Sequence, residues 1–204
     1  MKHASKLLAI LLASTLLLGL AACDFGGKAE ETTVPKIEQT TGGEGGETLT
    51  LIVVRNAAEG KDGMEEFLVP YSGPDGPSVQ DMADGLTELT GLNFGQLDMG
   101  AMGRSTMTID WPTDSTLFGG SVNEKEEFFF FDYDSMAWFM LDSLYQTIRK
   151  NIPAMGQGVG EYDIYYTMNG GESLVLENLS PPMDFSLETP YMGSAFYFAH
   201  QGGR

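Results

Sequence analysis

The N-terminal segment of the chain decides which residues are left to build a folded domain. Lys2 and Lys6 precede an apolar run over residues 7–18, and small residues then lead into Cys23, the only cysteine in the chain. This order of charge, short apolar run and small residues is typical of a secretory signal peptide. The run is shorter than the ~20 residues of a spanning helix, which argues against an uncleaved anchor. The sequence therefore predicts that residues 1–22 are removed.

The end of this segment, Leu20-Ala21-Ala22-Cys23, resembles the lipobox of bacterial lipoproteins. In that family the cysteine receives a diacylglycerol thioether and becomes the first mature residue, so the resemblance implies that Cys23 is lipidated. Two acyl chains hold a protein stably at a bilayer. We therefore expect the outer face of the cytoplasmic membrane as the location and the membrane as a partner through diacylglyceryl-cysteine. Asp24 resembles the inner-membrane retention signal of two-membrane bacteria. The alternative is an ordinary signal peptide with an incidental cysteine.

The mature chain is strongly acidic. The signal segment holds two of the 11 basic residues and none of the 29 acidic ones, so the mature charge is 9 − 29 = −20. Such a protein is repelled by nucleic acid and by anionic lipid headgroups, which excludes nucleic acid as a partner. With Cys23 lipidated no disulfide can form, and burial of apolar side chains must hold the domain together.

Composition divides the mature chain into three parts. Residues 23–47 comprise the lipidated cysteine and a tether rich in glycine, threonine and glutamate, which has too few apolar residues to fold. Residues 48–178 alternate between strand and helix patterns and form the predicted domain. Residues 179–204 contain scattered prolines and aromatics, and we expect an irregular C-terminal extension there.

Apolar residues that alternate with polar ones predict the strands. The predicted strands are 48–54, 67–69, 106–111, 161–168 and 173–176, with a turn at 56–63, a loop at 70–77 and no clear period over 91–103. Asn169-Gly170-Gly171 is the strongest hairpin signal in the chain.

Two helices are predicted. Ser78 and Asp81 have the spacing of a capping box before the apolar stripe of the first helix, over about 79–89. The second runs from about Asp134 to Lys150, with Asp134 or Ser135 as its cap and basic residues in its last turn. Its buried stripe is predicted to comprise Trp138, Leu141, Leu144, Tyr145 and Ile148. The run Phe128–Phe131 fits either a strand or the lead-in to this helix.

The order of these elements resembles the GerMN domain, a module named for spore germination and sporulation proteins. The resemblance rests on Thr48-Leu49-Thr50-Leu51, Phe67-Leu68-Val69-Pro70, Thr108-Ile109-Asp110-Trp111, Leu144-Tyr145-Gln146-Thr147-Ile148 and Ile164-Tyr165-Tyr166-Thr167-Met168-Asn169-Gly170-Gly171. Gln146 departs from the family pattern as an insertion, and residues 91–103 match nothing in it. The resemblance implies an α/β (α+β) fold, with a small, mostly antiparallel sheet and two helices on one face, similar to ring-building motifs. It implies no catalysis.

Residue types exclude several kinds of active site. His3 and His200 are the only histidines, one in the signal peptide and one in the tail, so histidine-based catalysis and metal binding are excluded. Gly156-Gln157-Gly158-Val159-Gly160 precedes a strand rather than a helix, which favours a plain loop over a phosphate site. We predict no catalytic, cofactor-binding or metal residue, and folding without metal or cofactor.

Three alternatives remain for the acidic and aromatic residues. Asp132 and Asp134, with Glu126 and Glu127, fit either a hard-cation site or, preferably, a solvated helix N-terminus. The run Phe128–Phe131 fits a ligand face or core packing, whereas helical spacing favours the core for the aromatics of the second helix. A pair of carboxylates could also support glycoside hydrolysis.

These patterns give an expected function with two alternatives. We expect a non-enzymatic, lipid-anchored cell-envelope protein whose GerMN-like domain binds envelope proteins or itself, in sporulation or spore germination. The first alternative is a ligand-binding lipoprotein with a pocket near Phe128 to Tyr133, and the second is a carboxylate-based hydrolase.

Overall fold

A computed structural model describes residues 47–57, 63–73, 75–103, 105–119, 123–152 and 162–201. All of them fall within one compact unit, Thr40–Arg204. Their strands are β1 Glu47–Arg55, β2 Gly63–Tyr71, β3 Asp98–Gly103, β4 Thr106–Trp111, β5 Asp163–Met168, β6 Glu172–Leu176 and β7 Met183–Phe185. Their α-helices are α1 Val79–Thr90, α2 Tyr133–Asn151 and α3 Ser194–Gln201. The predicted signal peptide, Cys23, the tether up to residue 46 and the loop 156–160 lie outside the described residues.

The mixed α+β class that the sequence predicted is confirmed. β1 and β2 form an antiparallel pair, and the other strands form a second sheet in the order β3-β4-β5-β6-β7. Within that sheet β4 and β5 are parallel and the remaining neighbours are antiparallel. A parallel pair needs a long crossover connection, and the segment from 112 to 162, which contains α2, supplies it.

The inner face of the larger sheet forms much of the core. In the β4–β5 pair, Ile109 lies opposite Tyr166 and both side chains are buried. Trp111, which is fully buried, makes ring contacts with Phe94 and Tyr166 at centroid distances of 5.8 and 5.6 Å. The apolar residues that alternate with polar ones along these strands therefore face the core, as the sequence predicted.

Helix α1 begins and ends as local chemistry requires. The Ser78 side chain accepts from the Asp81 N–H, and the Asp81 side chain accepts from the Ser78 N–H, which confirms the predicted capping box. The Ser78 hydroxyl also donates to the Asp81 carboxylate at 2.6 Å, and this bond, with that from the Ser78 N–H, lowers the pKa of Asp81. Gly91 ends the helix in the left-handed region, at φ 80°. Gly85 is explained by packing, because a Cβ there would lie 3.1 Å from a Leu51 methyl group.

Helix α2 is the long helix that the sequence predicted. All five residues of its predicted stripe are buried, and Arg149 and Lys150 lie in its last turn. The prediction of Asp134 or Ser135 as the cap is wrong, since the helix begins at Tyr133 and its N-cap is Asp132. Asp132 is the N-cap because its carboxylate can accept hydrogen bonds from both the N–H and the hydroxyl of Ser135, at 2.7 and 2.9 Å.

A polar stripe of α2 replaces a neighbouring strand along the free edge of β1. The N–H groups of Thr50, Ile52 and Val54 donate to the side chains of Asn151, Thr147 and Ser143, at 3.0, 2.9 and 3.0 Å. Thr147 and Asn151 donate back to the carbonyls of Ile52 and Thr50. Every fourth residue of α2 can meet every second residue of β1 because the two spacings are similar. Four helical residues rise ~6.0 Å and two strand residues rise ~6.6 Å. The edge is therefore closed against pairing with other chains.

Three segments differ from the sequence-based expectation. Residues 70 and 71, predicted as loop, continue β2, where Pro70 is tolerated because β2 is an edge strand of its sheet. The stretch 91–103 contains β3, which glycines and methionines concealed. The prediction of an irregular extension over 179–204 is wrong where β7 and α3 form. There Leu179, Phe185 and Tyr191 are buried with the core.

Candidate functional site

The run Phe128–Phe131 is the feature of the described surface that core packing explains least. It follows a short 3-10 helix, Glu126–Phe128, and leads into α2 in an extended conformation. Phe128 and Phe130 turn inward and contact Phe139 of α2, at centroid distances of 6.0 and 4.9 Å. The sequence left strand and lead-in open, and the structure shows a lead-in with the alternation of a strand.

The other two phenylalanines stand out from the protein. Phe131 is 94% exposed and Phe129 is 54% exposed. Their rings meet edge to face at 5.0 Å, with an interplanar angle of 87°. Burying a phenylalanine is worth ~1.5–3 kcal/mol, so two exposed rings side by side forgo a large stabilisation. The sequence suggested a ligand face here, and half of the run is indeed free of the core.

A depression lies beside this exposed pair. Its volume is about 200 Å³. The lining residues are Asn56, Ala57, Phe129, Phe130, Phe131, Asp132, Ser135 and Phe139. Asn56 helps to shape the rim by turning the chain out of β1 in the left-handed region, at φ 60°. The depression thus combines aromatic walls with a carboxylate, an amide and a hydroxyl.

A guanidinium already packs on the same segment. The Arg55 side chain lies over the Phe128 ring, 5.0 Å from its centroid, and donates to the Glu127 carbonyl at 3.1 Å. It also forms an ion pair with Glu65 at 2.9 Å. A cation held between an aromatic face and oxygen acceptors is a favourable arrangement, and here it belongs to the protein itself.

The acidic residues near this segment serve the start of α2. Asp132 is the N-cap, and Asp134 accepts from the Ser180 N–H at 3.3 and 3.2 Å. Across the ranges that the structure describes, no three histidine, cysteine, aspartate or glutamate side chains converge on a point where they could hold a metal ion. The geometry therefore favours the helix-terminus interpretation over the cation site.

A buried polar cluster, absent from the sequence-based prediction, lies around Asp142, about two helical turns after Ser135 along α2. Asp142 is 2% exposed and accepts hydrogen bonds from the Tyr191 hydroxyl, the Ser194 N–H at 2.9 Å and the Ser194 hydroxyl at 2.5 Å. Ser194 is fully buried and opens α3. Because Asp142 is 52 positions from Ser194, no local pattern could have shown it. Its arrangement fastens the C-terminal segment rather than offering a group to a substrate.

The stability of the fold is expected to fall at alkaline pH because the protein buries tyrosine hydroxyl groups. Burial raises the pKa of Tyr166 and Tyr191 well above 10.0, with the charge of Asp142 adding to the rise. Burial also raises the pKa of Tyr133 and Tyr197 to about 12. A raised folded-state pKa gives stability that is complete below pH 10 and lost as pH rises further. We expect the free energy of unfolding to fall between pH 10 and 12, by up to ~1.4 kcal/mol per pH unit for each fully buried tyrosine.

Denaturant unfolding at a series of pH values measures this loss. Substituting Tyr197→Phe removes one titrating hydroxyl and should reduce the slope. A stability that is flat from pH 9 to 12 would contradict the burial of these hydroxyl groups.

Two further observations concern His200 and the helices. His200, exposed on α3, has its Nδ1 2.7 Å from the Phe196 carbonyl and stands apart from the depression. No helix in the described ranges is both long and apolar enough to cross a membrane.

Comparisons with known proteins add no relative. No protein-family model, no curated protein and no solved structure matches the chain.

Proposed function

We propose that the protein is a non-enzymatic, lipid-anchored component of the bacterial cell envelope. Its GerMN-like domain, similar to ring-building motifs, binds other envelope proteins in sporulation or spore germination. The observation that supports protein binding is the exposed pair Phe129 and Phe131 beside a depression. Solvent-exposed aromatic side chains surrounded by polar groups are the usual centre of a protein interface.

The anchor and the tether suit such a role. A diacylated Cys23 would hold the domain beside the membrane through the predicted tether that follows it in the sequence. Tethering raises the effective concentration of the domain near other membrane-bound proteins, so individually weak contacts suffice. A small exposed aromatic centre is adequate under these conditions.

We expect Cys23→Ala to release the protein from the membrane fraction and to lower its crosslinking to envelope proteins. The substitution removes the thiol that would receive the lipid and leaves the described domain unaltered. Cell fractionation and crosslinking in intact cells measure the two effects. A variant that stays in the membrane fraction as a normally processed protein would show that the anchor is wrong. An unchanged crosslinking yield would show that anchoring does not serve binding.

One observation favours a second candidate, a ligand-binding lipoprotein. The depression lies where the sequence placed a pocket, near Phe128 to Tyr133, and polar groups converge on it. Its 200 Å³ is below the ~300–1,000 Å³ usual for small-molecule sites. Protein binding is therefore the better-supported candidate. Saturable binding of a metabolite by the purified lipoprotein, lost in Ser135→Ala, would reverse this order.

A further inference from the structure

We propose that the depression beside Phe129 and Phe131 receives a basic side chain, arginine or lysine, from a protein partner. This inference rests on the proposed function and names the chemistry of the partner. The interface would consist of one inserted cation, the exposed aromatic pair around it, and an acidic rim.

The walls of the depression have the composition of a cation site. Four phenylalanine residues line it, and an aromatic ring attracts an ammonium or guanidinium group that lies over its face. Asp132 supplies the negative charge at the edge. Its carboxylate uses one acceptor position for the Ser135 N–H and one for the Ser135 hydroxyl. A carboxylate offers about four such positions, so two remain for an incoming donor.

The protein already shows this recognition one residue away. Arg55 places its guanidinium over Phe128 and donates to the Glu127 carbonyl. The neighbouring depression is also lined by aromatic residues and by side chains with oxygen acceptors. No basic side chain is among the described residues that line it. A cation from another molecule could bind in the depression as Arg55 binds to Phe128 and the Glu127 carbonyl.

Charge selects the class of partner. Between residues 123 and 135 the chain has five acids, Glu124, Glu126, Glu127, Asp132 and Asp134, against one base, Lys125. Of these acids Asp132 lines the depression, and even with Arg55 on the same segment the stretch stays net negative, so it repels the anionic headgroups of a membrane surface. A second copy of the mature chain carries the same net charge, 9 − 29 = −20, and is also disfavoured. A basic segment of another protein is attracted by the rim and guided to the aromatic pair.

Size agrees with a single side chain. The volume of the depression, about 200 Å³, is below the ~300–1,000 Å³ usual for small-molecule sites. That space accepts the end of one arginine or lysine and is too small for most metabolites. The exposed parts of the Phe129 and Phe131 rings then cover the aliphatic stem of the inserted residue.

The test installs a photocrosslinking phenylalanine analogue in place of Phe131 in the full-length lipoprotein, in the cells that make it. The analogue in place of Leu68, which is 63% exposed on β2, is the matched control position. Adducts are identified by mass spectrometry of the joined peptides. We expect adducts at 131, and not at 68, with a protein segment that is net positive and has arginine or lysine within a few residues of the crosslink.

Two charge variants sharpen the test. Asp132→Asn removes the charge but keeps the helix cap, because asparagine caps as well as aspartate. It should lower the adduct yield about fivefold, as expected for loss of one ion pair. Asp163→Asn changes net charge equally at a distant exposed position and should leave the yield unchanged.

The remaining outcomes separate this inference from the proposed function. A protein adduct with a neutral or acidic segment, or with a second copy of this chain, overturns the basic partner and leaves protein binding standing. Equal yields from the Asp132 and Asp163 variants also overturn the cation site. Adducts with lipid alone, or none at position 131, overturn both proposals.

Discussion

Replacing Asp142 with alanine is expected to lower the free energy of unfolding by about 3–5 kcal/mol. The buried carboxylate accepts from the Tyr191 hydroxyl and from the N–H and hydroxyl of Ser194. Alanine would leave these donors without an acceptor in a place that water does not reach. Each unsatisfied buried group costs ~1–3 kcal/mol. The effect should be largest in the C-terminal segment, which Asp142 fastens to α2.

Denaturant unfolding gives the total loss, and hydrogen exchange locates it. In Asp142→Ala the amides of α3 should exchange faster, while those of the β4–β5 pair keep more of their protection. Asp163→Ala removes an exposed acid from β5 and should stay within ~0.5 kcal/mol of the natural chain. If the two variants were equally stable, the assigned role of Asp142 would be wrong.

Replacing Thr147 with valine is expected to cost about 2–3 kcal/mol. The Thr147 hydroxyl accepts from the Ile52 N–H at 2.9 Å and donates to the Ile52 carbonyl at 3.2 Å. Valine has the same shape but can do neither, so both backbone groups of a buried residue lose their partner. The closed edge of β1 would open at its centre, between the contacts made by Ser143 and Asn151.

Two matched variants isolate this effect. Thr147→Ser keeps the hydroxyl and should recover most of the stability. Thr48→Val makes the same chemical change at an exposed position of β1 and should stay within ~0.5 kcal/mol. Equal losses in Thr147→Val and Thr48→Val, measured by denaturant unfolding, would show that the helix does not substitute for a strand.

Features set by neighbouring residues were predictable from the sequence. The capping box at Ser78 and the hairpin at Asn169-Gly170-Gly171 depend on residues only a few positions apart. In that hairpin Asn169 has φ 54°, as its sequence signal requires. The stripe of α2 was predictable because nineteen residues of regular helix repeat the pattern several times.

Features set by distant residues were not predictable. The contacts that close the edge of β1 join residues 89 to 101 positions apart. Serine, threonine and asparagine at helical spacing normally indicate a solvated face, and here they satisfy a buried strand. The division into two sheets follows from this contact. The start of α3 likewise depends on Asp142, which binds Ser194 from 52 positions away.

The candidate site was half predictable. The sequence placed a ligand face or a core segment at Phe128–Phe131, and the structure uses the run for both. Alternation separates the two inward rings from the two exposed ones. The choice depended on where Phe139 lies, and only the folded position of α2 fixes that.

Whether the exposed pair is the centre of a protein interface is tested by comparing Phe131→Ser with Leu68→Ser in intact cells. Both residues are apolar and mostly exposed, at 94% and 63%, so neither change should alter stability by more than ~0.5 kcal/mol. Loss of an interface centre costs ~2 kcal/mol or more. We predict that crosslinking of the anchored protein to its partner falls about thirtyfold in Phe131→Ser and stays unchanged in Leu68→Ser. Equal crosslinking by both folded variants would show that Phe131 is not part of the centre of an interface.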